Sequence, residues 1–373
     1  MNIIIDTTPT QSKPYSGIGI ATKKITEQLV RNNPKVTYHL ILHTDAESTL
    51  DPAVKNADNV ILYDAGVLFP GYLNPLTYTL HLKPVIEYIY REIPESVYFA
   101  TYFWQGHPAG YHPTAVMIYD FAMPMLDMYA NKGVIVNALR KREYWFWQNR
   151  TARADAIIAI SESTARDFLK CYKDYPEERV YKAFMGVELE KMSAEARAES
   201  GSPESEAKIL AKYLPKDWKK KKYLIYMGGN IQRTKNNEGV VYSYQEMLKK
   251  LSSDGVSKAE APYLVIAGAA YEIDSAPVKD FKQMIKDIGL KDKVVFSGFY
   301  EPEHKELLLK NAFAFTHLSH YEGFGLAVAE AMRAGTPVVV SETSSHPEVV
   351  GDAGMLVDGK DYKKVGEAYV TPV

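Results

Sequence analysis

Short apolar runs alternate with longer stretches of helical period along the whole chain. In the first half the runs are Asn2–Ile5, Tyr38–Leu42, Val60–Tyr63, Val97–Ala100, Ala115–Ile118, Ala156–Ile160 and Val180–Ala183. Nearly unbroken apolar runs of this length suit strands of a parallel sheet, whose two faces are both covered. Between them, Thr22–Arg31 sets Ile25, Leu29 and Val30 at helical spacing, and Asn137–Thr151 is a helical candidate rich in aromatics and Arg. Ser161 stands as an N-cap before a helix carrying Ala165 and Phe168. Residues 188–220 change character: Glu, Ala, Ser and Lys dominate around Gly201-Ser202-Pro203, as in a linker or an excursion. The alternation then restarts, with strands expected at Tyr223–Met227, Tyr263–Ala267, Lys293–Phe296, Phe313–Thr316 and Pro337–Val340. Helices are expected at Asn236–Leu251, Val278–Ile288, Glu303–Leu309 and Leu326–Ala334. Two successive strand–helix series predict an α/β protein of two doubly wound domains, 1–187 and 221–373, joined by 188–220.

Length agrees, since 373 residues exceed what one core usually supports. Composition adds mainly exclusions. With 44 Lys plus Arg against 46 Asp plus Glu, nothing draws the whole molecule to nucleic acid, and none is expected as a partner. The single cysteine, Cys171, forbids an intrachain disulfide and suits a reducing compartment. Met1-Asn2-Ile3-Ile4-Ile5-Asp6 lacks the basic region and long apolar run of a signal peptide, and no apolar run reaches the ~18 residues of a membrane span. A cytoplasmic protein is expected.

Open parallel sheets bind ligands beyond the carboxyl ends of their strands, and the informative motifs sit there. Glu322-Gly323-Phe324-Gly325-Leu326-Ala327-Val328-Ala329-Glu330 follows a strand and enters a helix. Glycines there let a ligand approach the backbone, and the first helical N–H groups favour a phosphate or diphosphate. The flanking carboxylates can accept hydrogen bonds from sugar hydroxyls on either side, the logic of a nucleotide-sugar. A plain helix start with a surface Glu is the alternative. Gly228-Gly229-Asn230-Ile231-Gln232-Arg233-Thr234-Lys235-Asn236-Asn237 follows the first strand of the second domain. Arg233 and Lys235 can neutralise a leaving diphosphate; a polar loop with a cap is the alternative. Tyr15-Ser16-Gly17-Ile18-Gly19 lacks the third Gly of a dinucleotide fingerprint, and a tight turn explains it equally.

The stretch from Ser319-His320-Tyr321-Glu322-Gly323-Phe324-Gly325-Leu326 through Glu330-Ala331-Met332-Arg333-Ala334-Gly335-Thr336-Pro337-Val338-Val339 and Ser341 to Pro347-Glu348-Val349-Val350-Gly351-Asp352-Ala353-Gly354 resembles the signature of family 4 glycosyltransferases. The likeness is nearly continuous over 293–358, with weaker matches toward the N-terminus. It implies a retaining enzyme of the GT-B fold, two Rossmann-like domains facing across a cleft. It implies that Glu322 binds hydroxyls of the transferred sugar, that the amides of Gly323, Phe324, Gly325 and Leu326 bind sugar and phosphate, and that Glu330 binds the ribose. Lys235 and Arg233 match the family's Gly-…-Arg-Lys-Asn loop, with Thr234 as a departure between them. Gly17 and Gly19 match its N-terminal glycine loop, near donor phosphate and acceptor. Gly298-Phe299-Tyr300 matches the loop beside the nucleotide base, with backbone contact expected at Phe299, and Ser161 matches a helix start near the donor, where a bare N-cap is the alternative. At Met117-Ile118-Tyr119-Asp120, Tyr119 stands where many members carry His; it is either a hydrogen-bond donor to the sugar or a wall, and Asp120 is a candidate for orienting the acceptor.

No His or Cys cluster has metal-ligand spacing and no Asp-x-Asp occurs, so no metal and no cofactor beyond the GDP- or UDP-linked donor is expected. The slight lean is to mannose, because the Lys-Asn loop resembles mannosyltransferase-type members. The acceptor implied is a growing or lipid-linked glycan, as in bacterial surface polysaccharide. Arg140-Lys141-Arg142 with Tyr144-Trp145-Phe146-Trp147 either covers the first sheet or touches anionic lipid. Family members usually continue with helices beyond the 354–358 region, so a partner subunit or further domain is kept open. A catalytically silent GT-B partner or glycan-binding subunit, and a nucleotide-sugar epimerase, remain the rival readings.

Overall fold

The computed structural model describes residues 1–11, 17–43, 47–66, 78–102, 107–121, 142, 144–146, 148–187, 202–228, 231 and 233–371. The chain divides into two compact units, Met1–Asp120 with Tyr129–Ala183, and Phe121–Met128 with Phe184–Val373. Each is built on a parallel sheet, and the fold is GT-B.

The sheet of the first unit contains β1 (Asn2–Asp6), β2 (Thr37–Leu42), β3 (Val60–Asp64), β4 (Val97–Ala100), β5 (Thr114–Ile118), β6 (Ala156–Ala159) and β7 (Val180–Lys182), in the order β3-β2-β1-β4-β5-β6-β7. All seven apolar runs predicted as strands lie in this sheet, with ends shifted by a residue or so. The helix Gly17–Asn32 follows β1, and Glu162–Cys171 follows β6. In the segment predicted as a helix over Asn137–Thr151, Tyr144, Gln148 and Thr151 are buried at helical spacing while Trp145 and Phe146 are exposed; Arg140, Lys141 and Trp147 lie outside the described residues.

The second unit repeats the plan with β8 (Tyr223–Met227), β9 (Tyr263–Ala267), β10 (Val294–Gly298), β11 (Ala314–His317), β12 (Val338–Ser341) and β13 (Met355–Val357), ordered β10-β9-β8-β11-β12-β13. Every residue of β8 and β9 is buried. Side chains alternate across a strand, so Tyr223, Ile225 and Met227 enter one core with Tyr263 and Val265, while Leu224 and Tyr226 enter the other with Leu264 and Ile266. A strand covered on both faces cannot afford polar positions, which is why these runs are continuous rather than alternating. Within the stretch read as a linker, Pro203–Leu210 is a helix with Ser202 as its capping-box residue, and Leu210, Leu214 and Trp218 enter the core of this unit. Among the described residues no helix is long and apolar enough to cross a membrane.

Candidate active site

In a doubly wound sheet the strand order reverses between two neighbouring strands, and the loops leaving their carboxyl ends diverge to open a crevice. In the second unit those strands are β8 and β11, which pair in parallel. The loop after β8 carries Lys235 on the single 3-10 turn Arg233–Lys235; the loop after β11 carries Ser319 and Glu322. A backbone bond from His320 N–H to the Thr234 carbonyl, 2.7 Å, ties the loops together. The Arg233 side chain, Gly229, Asn230 and Gln232 lie outside the described residues.

Glu322 is the centre of this crevice. Lys235 Nζ donates to its Oε1 at 2.7 Å, Ser319 Oγ at 2.7 Å and His317 Nε2–H at 2.8 Å. All of these donors converge on one oxygen, and Oε2 makes no hydrogen bond among the described residues. Burial alone would push the carboxyl up, but the His317 hydrogen bond and the Lys235 ammonium outweigh it and hold Glu322 well below the usual carboxylate range. His317 is fixed in turn by packing. Its ring stacks on Tyr226 (5.5 Å between centroids, 24°) and Phe315 (6.0 Å, 7°), and meets His346 edge to face at 5.6 Å. The buried Nδ1 of His317 has no hydrogen-bond partner among the described residues.

The glycine-opened turn after Glu322 is shaped from the segment after β12. Glu322 N–H donates to Ser344 Oγ at 2.7 Å, and Ser345 Oγ lies 3.0 Å from the Glu322 carbonyl and 2.8 Å from that of Phe324. In a trans peptide the C=O and the next N–H point oppositely, so these bonds turn the Gly323 and Gly325 amides away from Ser345. Ser344 holds the left-handed region at φ +47°. Gly325 caps the helix Leu326–Arg333 at φ +95°, and a Cβ there would meet His346 Cδ2 at 3.1 Å. His346 is buried beneath it, with Nδ1 3.0 Å from both the carbonyl and the hydroxyl of Ser341. Burial, aided by neighbouring His317, pushes its pKa down to about 4.

Glu330, a turn into that helix, is paired with Lys305 Nζ. Tyr300 lies close by, its phenol pushed up to about 12 by burial and by the Glu330 charge. Phe299 is 55% exposed, and its N–H donates to Glu272 Oε2 at 3.2 Å. The Phe299 N–H, the backbone donor expected to face the nucleotide base, is thus taken by a carboxylate of the protein itself.

In the first unit, Gly17 opens its helix exposed and Gly19 is buried; Tyr15 and Ser16 lie outside the described residues. Ser161 is an N-cap, its Oγ accepting from Thr164 N–H and donating to Thr164 Oγ1, both at 2.9 Å. Thr164 Oγ1 reaches the Tyr119 carbonyl at 3.4 Å. Among the described residues the buried Tyr119 hydroxyl has no hydrogen-bond partner, and burial pushes its pKa up, so it stays a phenol. Asp120 is half-buried.

The structure therefore brings Lys235 to Glu322 and sets Glu330 apart on its own lysine. It adds His317, Ser344, Ser345, His346, Lys305 and Glu272. Sequence reasoning missed these because a lone polar residue at a strand or loop end carries no period and no spacing to its partner. Lys305 and Glu330 are separated by 25 residues, and Glu272 and Phe299 by 27.

Residues 214–369 match the family model described as glycosyl transferases group 1. The O-antigen chain mannosyltransferase B of Escherichia coli is 27% identical over 208 residues, covering 56% of this chain and 49% of that protein. The serotype-specific mannosyltransferase WbdA of the same species is 26% identical, covering all of this chain and 44% of its own length. The chain thus spans about half the length of these relatives or less. Among solved structures, HepE of Anabaena, in complex with UDP and glucose, aligns over 98% of this chain and 88% of its own with a TM-score of 0.62 at 18% identity. Residues 214–369 thus resemble the group 1 glycosyl transferases, and the two-sheet fold of the chain is GT-B.

Proposed function

We propose that this chain transfers a hexose from a nucleotide-diphosphate sugar to a growing glycan with retention at the anomeric carbon, as a family 4 glycosyltransferase. The observation that carries the reading is the Lys235–Glu322 pair at the switch point of the second sheet, beside a glycine-opened helix. Breaking the glycosidic bond puts charge on the leaving diphosphate and oxocarbenium character on the sugar. Lys235, with Arg233 as its partner from the sequence, and the amide turned out at Gly325 stabilise the first. Glu322 Oε2 holds a sugar hydroxyl, and Glu330 holds the ribose once Lys305 yields it. The departing phosphate oxygen takes the acceptor proton, which leaves Tyr119 a binding role as a phenol. Lysine and arginine supply the electrostatic stabilisation, so turnover needs no added metal. The names of the two Escherichia coli relatives support mannose as the sugar and a surface polysaccharide as the product. A GDP or a UDP donor satisfies this much of the reading.

The test is transfer and donor hydrolysis by the purified chain with GDP-mannose and UDP-hexoses, with and without chelator, beside nucleotide titrations of K235A and E330A. Each substitution is expected to weaken nucleotide binding about tenfold or more, the scale of a lost hydrogen bond to a charged group. Unchanged affinity in both variants would sink the proposal. Binding without transfer or hydrolysis would favour the second reading, a silent GT-B subunit, for which the His-to-Tyr exchange at Tyr119 speaks.

A further inference from the structure

We propose that Glu272 reads the base of the donor nucleotide and selects guanine. The inference rests on the donor site argued above and adds what that site leaves open. β9 and β10 are neighbours, and the loops leaving their carboxyl ends run side by side. Gly268 N–H donates to the Gly298 carbonyl at 3.1 Å, and the turn Ala269–Glu272 brings the Glu272 carboxylate over the end of β10. There Oε2 accepts from Phe299 N–H at 3.2 Å. A Cβ on Gly298 would lie 2.1 Å from Oε1, and Gly298 holds φ +68°, so the carboxylate occupies space that only glycine leaves open. The backbone amide anchors the group while most of its acceptor positions stay open, since an ionised carboxylate offers about four. Beside it stands Phe299, more than half exposed, a flat apolar face next to a fixed pair of acceptors. The next residue, Tyr300, lies near Glu330, the acid assigned to the ribose. The carboxylate and the aromatic ring therefore sit one step along the chain from the sugar end of the nucleoside.

A carboxylate only accepts hydrogen bonds. Guanine presents N1–H and an N2 amino group side by side, two donors that match two carboxylate oxygens. Hypoxanthine keeps only N1–H. Uracil offers N3–H between two carbonyl oxygens, which a carboxylate repels, and adenine places an unprotonated N1 there. Stacking on Phe299 serves any base, because every base has a π face. The two residues thus divide the work: Phe299 contributes affinity and Glu272 contributes choice.

The test is calorimetric titration of the full chain with GDP, IDP, UDP and ADP, for the unaltered protein and for E272A, E272Q and F299A. Glu272 is exposed, and none of these changes empties a core. GDP is expected to bind about tenfold tighter than IDP and about a hundredfold tighter than UDP or ADP, the scale of one and two hydrogen bonds to a charged group. E272A should bring GDP level with UDP, E272Q should fall between, and F299A should weaken all four alike by about tenfold. UDP binding as tightly as GDP in the unaltered protein, or a guanine preference that survives E272A, would overturn the inference. If K235A still weakened nucleotide binding in that case, the glycosyltransferase reading would stand without it. Failure of a folded chain to bind any of the four would remove both.

Discussion

Glu322 Oε1 collects the ammonium of Lys235, the hydroxyl of Ser319 and the Nε2–H of His317, and this concentration keeps the group ionised despite its burial. The His317 hydrogen bond does most to hold the carboxyl down, so removing it leaves burial less opposed. H317F keeps a ring to stack between Tyr226 and Phe315 and loses the donor. Its Glu322 should titrate at higher pH, and the acid limb of the kcat/KM profile should move up in pH relative to the unaltered enzyme. Superimposable profiles would show that His317 packs without tuning the carboxylate. Glu322 and Lys235 were legible in the sequence because each sits in a loop motif with glycines or basic neighbours at fixed spacing. His317 was not, because one histidine at the end of a buried strand reads the same whether it fills core or faces a carboxylate.

At the scale of elements, the turn Glu322–Gly325 and the helix Leu326–Arg333 are held in shape by Ser344, Ser345 and His346 from the neighbouring segment. G325A tests that arrangement. Alanine would have to adopt φ +95° and press its Cβ to 3.1 Å from His346, a strain of about 1–3 kcal/mol. The variant should unfold at lower denaturant and lose nucleotide affinity together, as followed by chemical denaturation and titration. Loss of stability with full affinity would mean that the turn is structural only. Most strands were legible as unbroken apolar runs, because burial on both faces leaves no other composition. β13, three half-buried residues, and the helix Pro203–Leu210, polar on most of its surface, carry too little apolar signal to be found that way. They are formed by pairing with β12 and by docking Leu210 on the core.

The whole molecule should be acid-sensitive, for a reason spread over both units. His346 in the second unit has its pKa pushed down to about 4, and His107 in the first to about 3, in each case chiefly by burial, against an ordinary 6.5. Between 6.5 and those values the unfolded chain takes up protons that the folded chain refuses, so stability falls as pH falls. For His346 the loss is on the order of 3 kcal/mol by pH 4. Glu322, held below the usual carboxylate range, adds a further loss that begins as pH falls below its ordinary 4.5, while Asp6, pushed up by burial, acts in the opposite sense in the first unit. Denaturant unfolding from pH 7 down to pH 4.5 should show the decline, and H346Q should flatten it for the second unit even though it loses stability at neutrality. An unchanged slope in H346Q would refute the assignment. Periodicity, apolar runs and the glycine-flanked acids determined by themselves that this is a two-sheet α/β protein with a glycine-opened helix start and two carboxylates beside it, because each of those signals is local in the chain. Only the tertiary structure decided that Lys235 and His317 share one oxygen of Glu322, that Lys305 holds Glu330, and that Glu272 lies over Gly298. Those pairings depend on strand order, which brings loops far apart in sequence to the same end of a sheet, and no local period records that order.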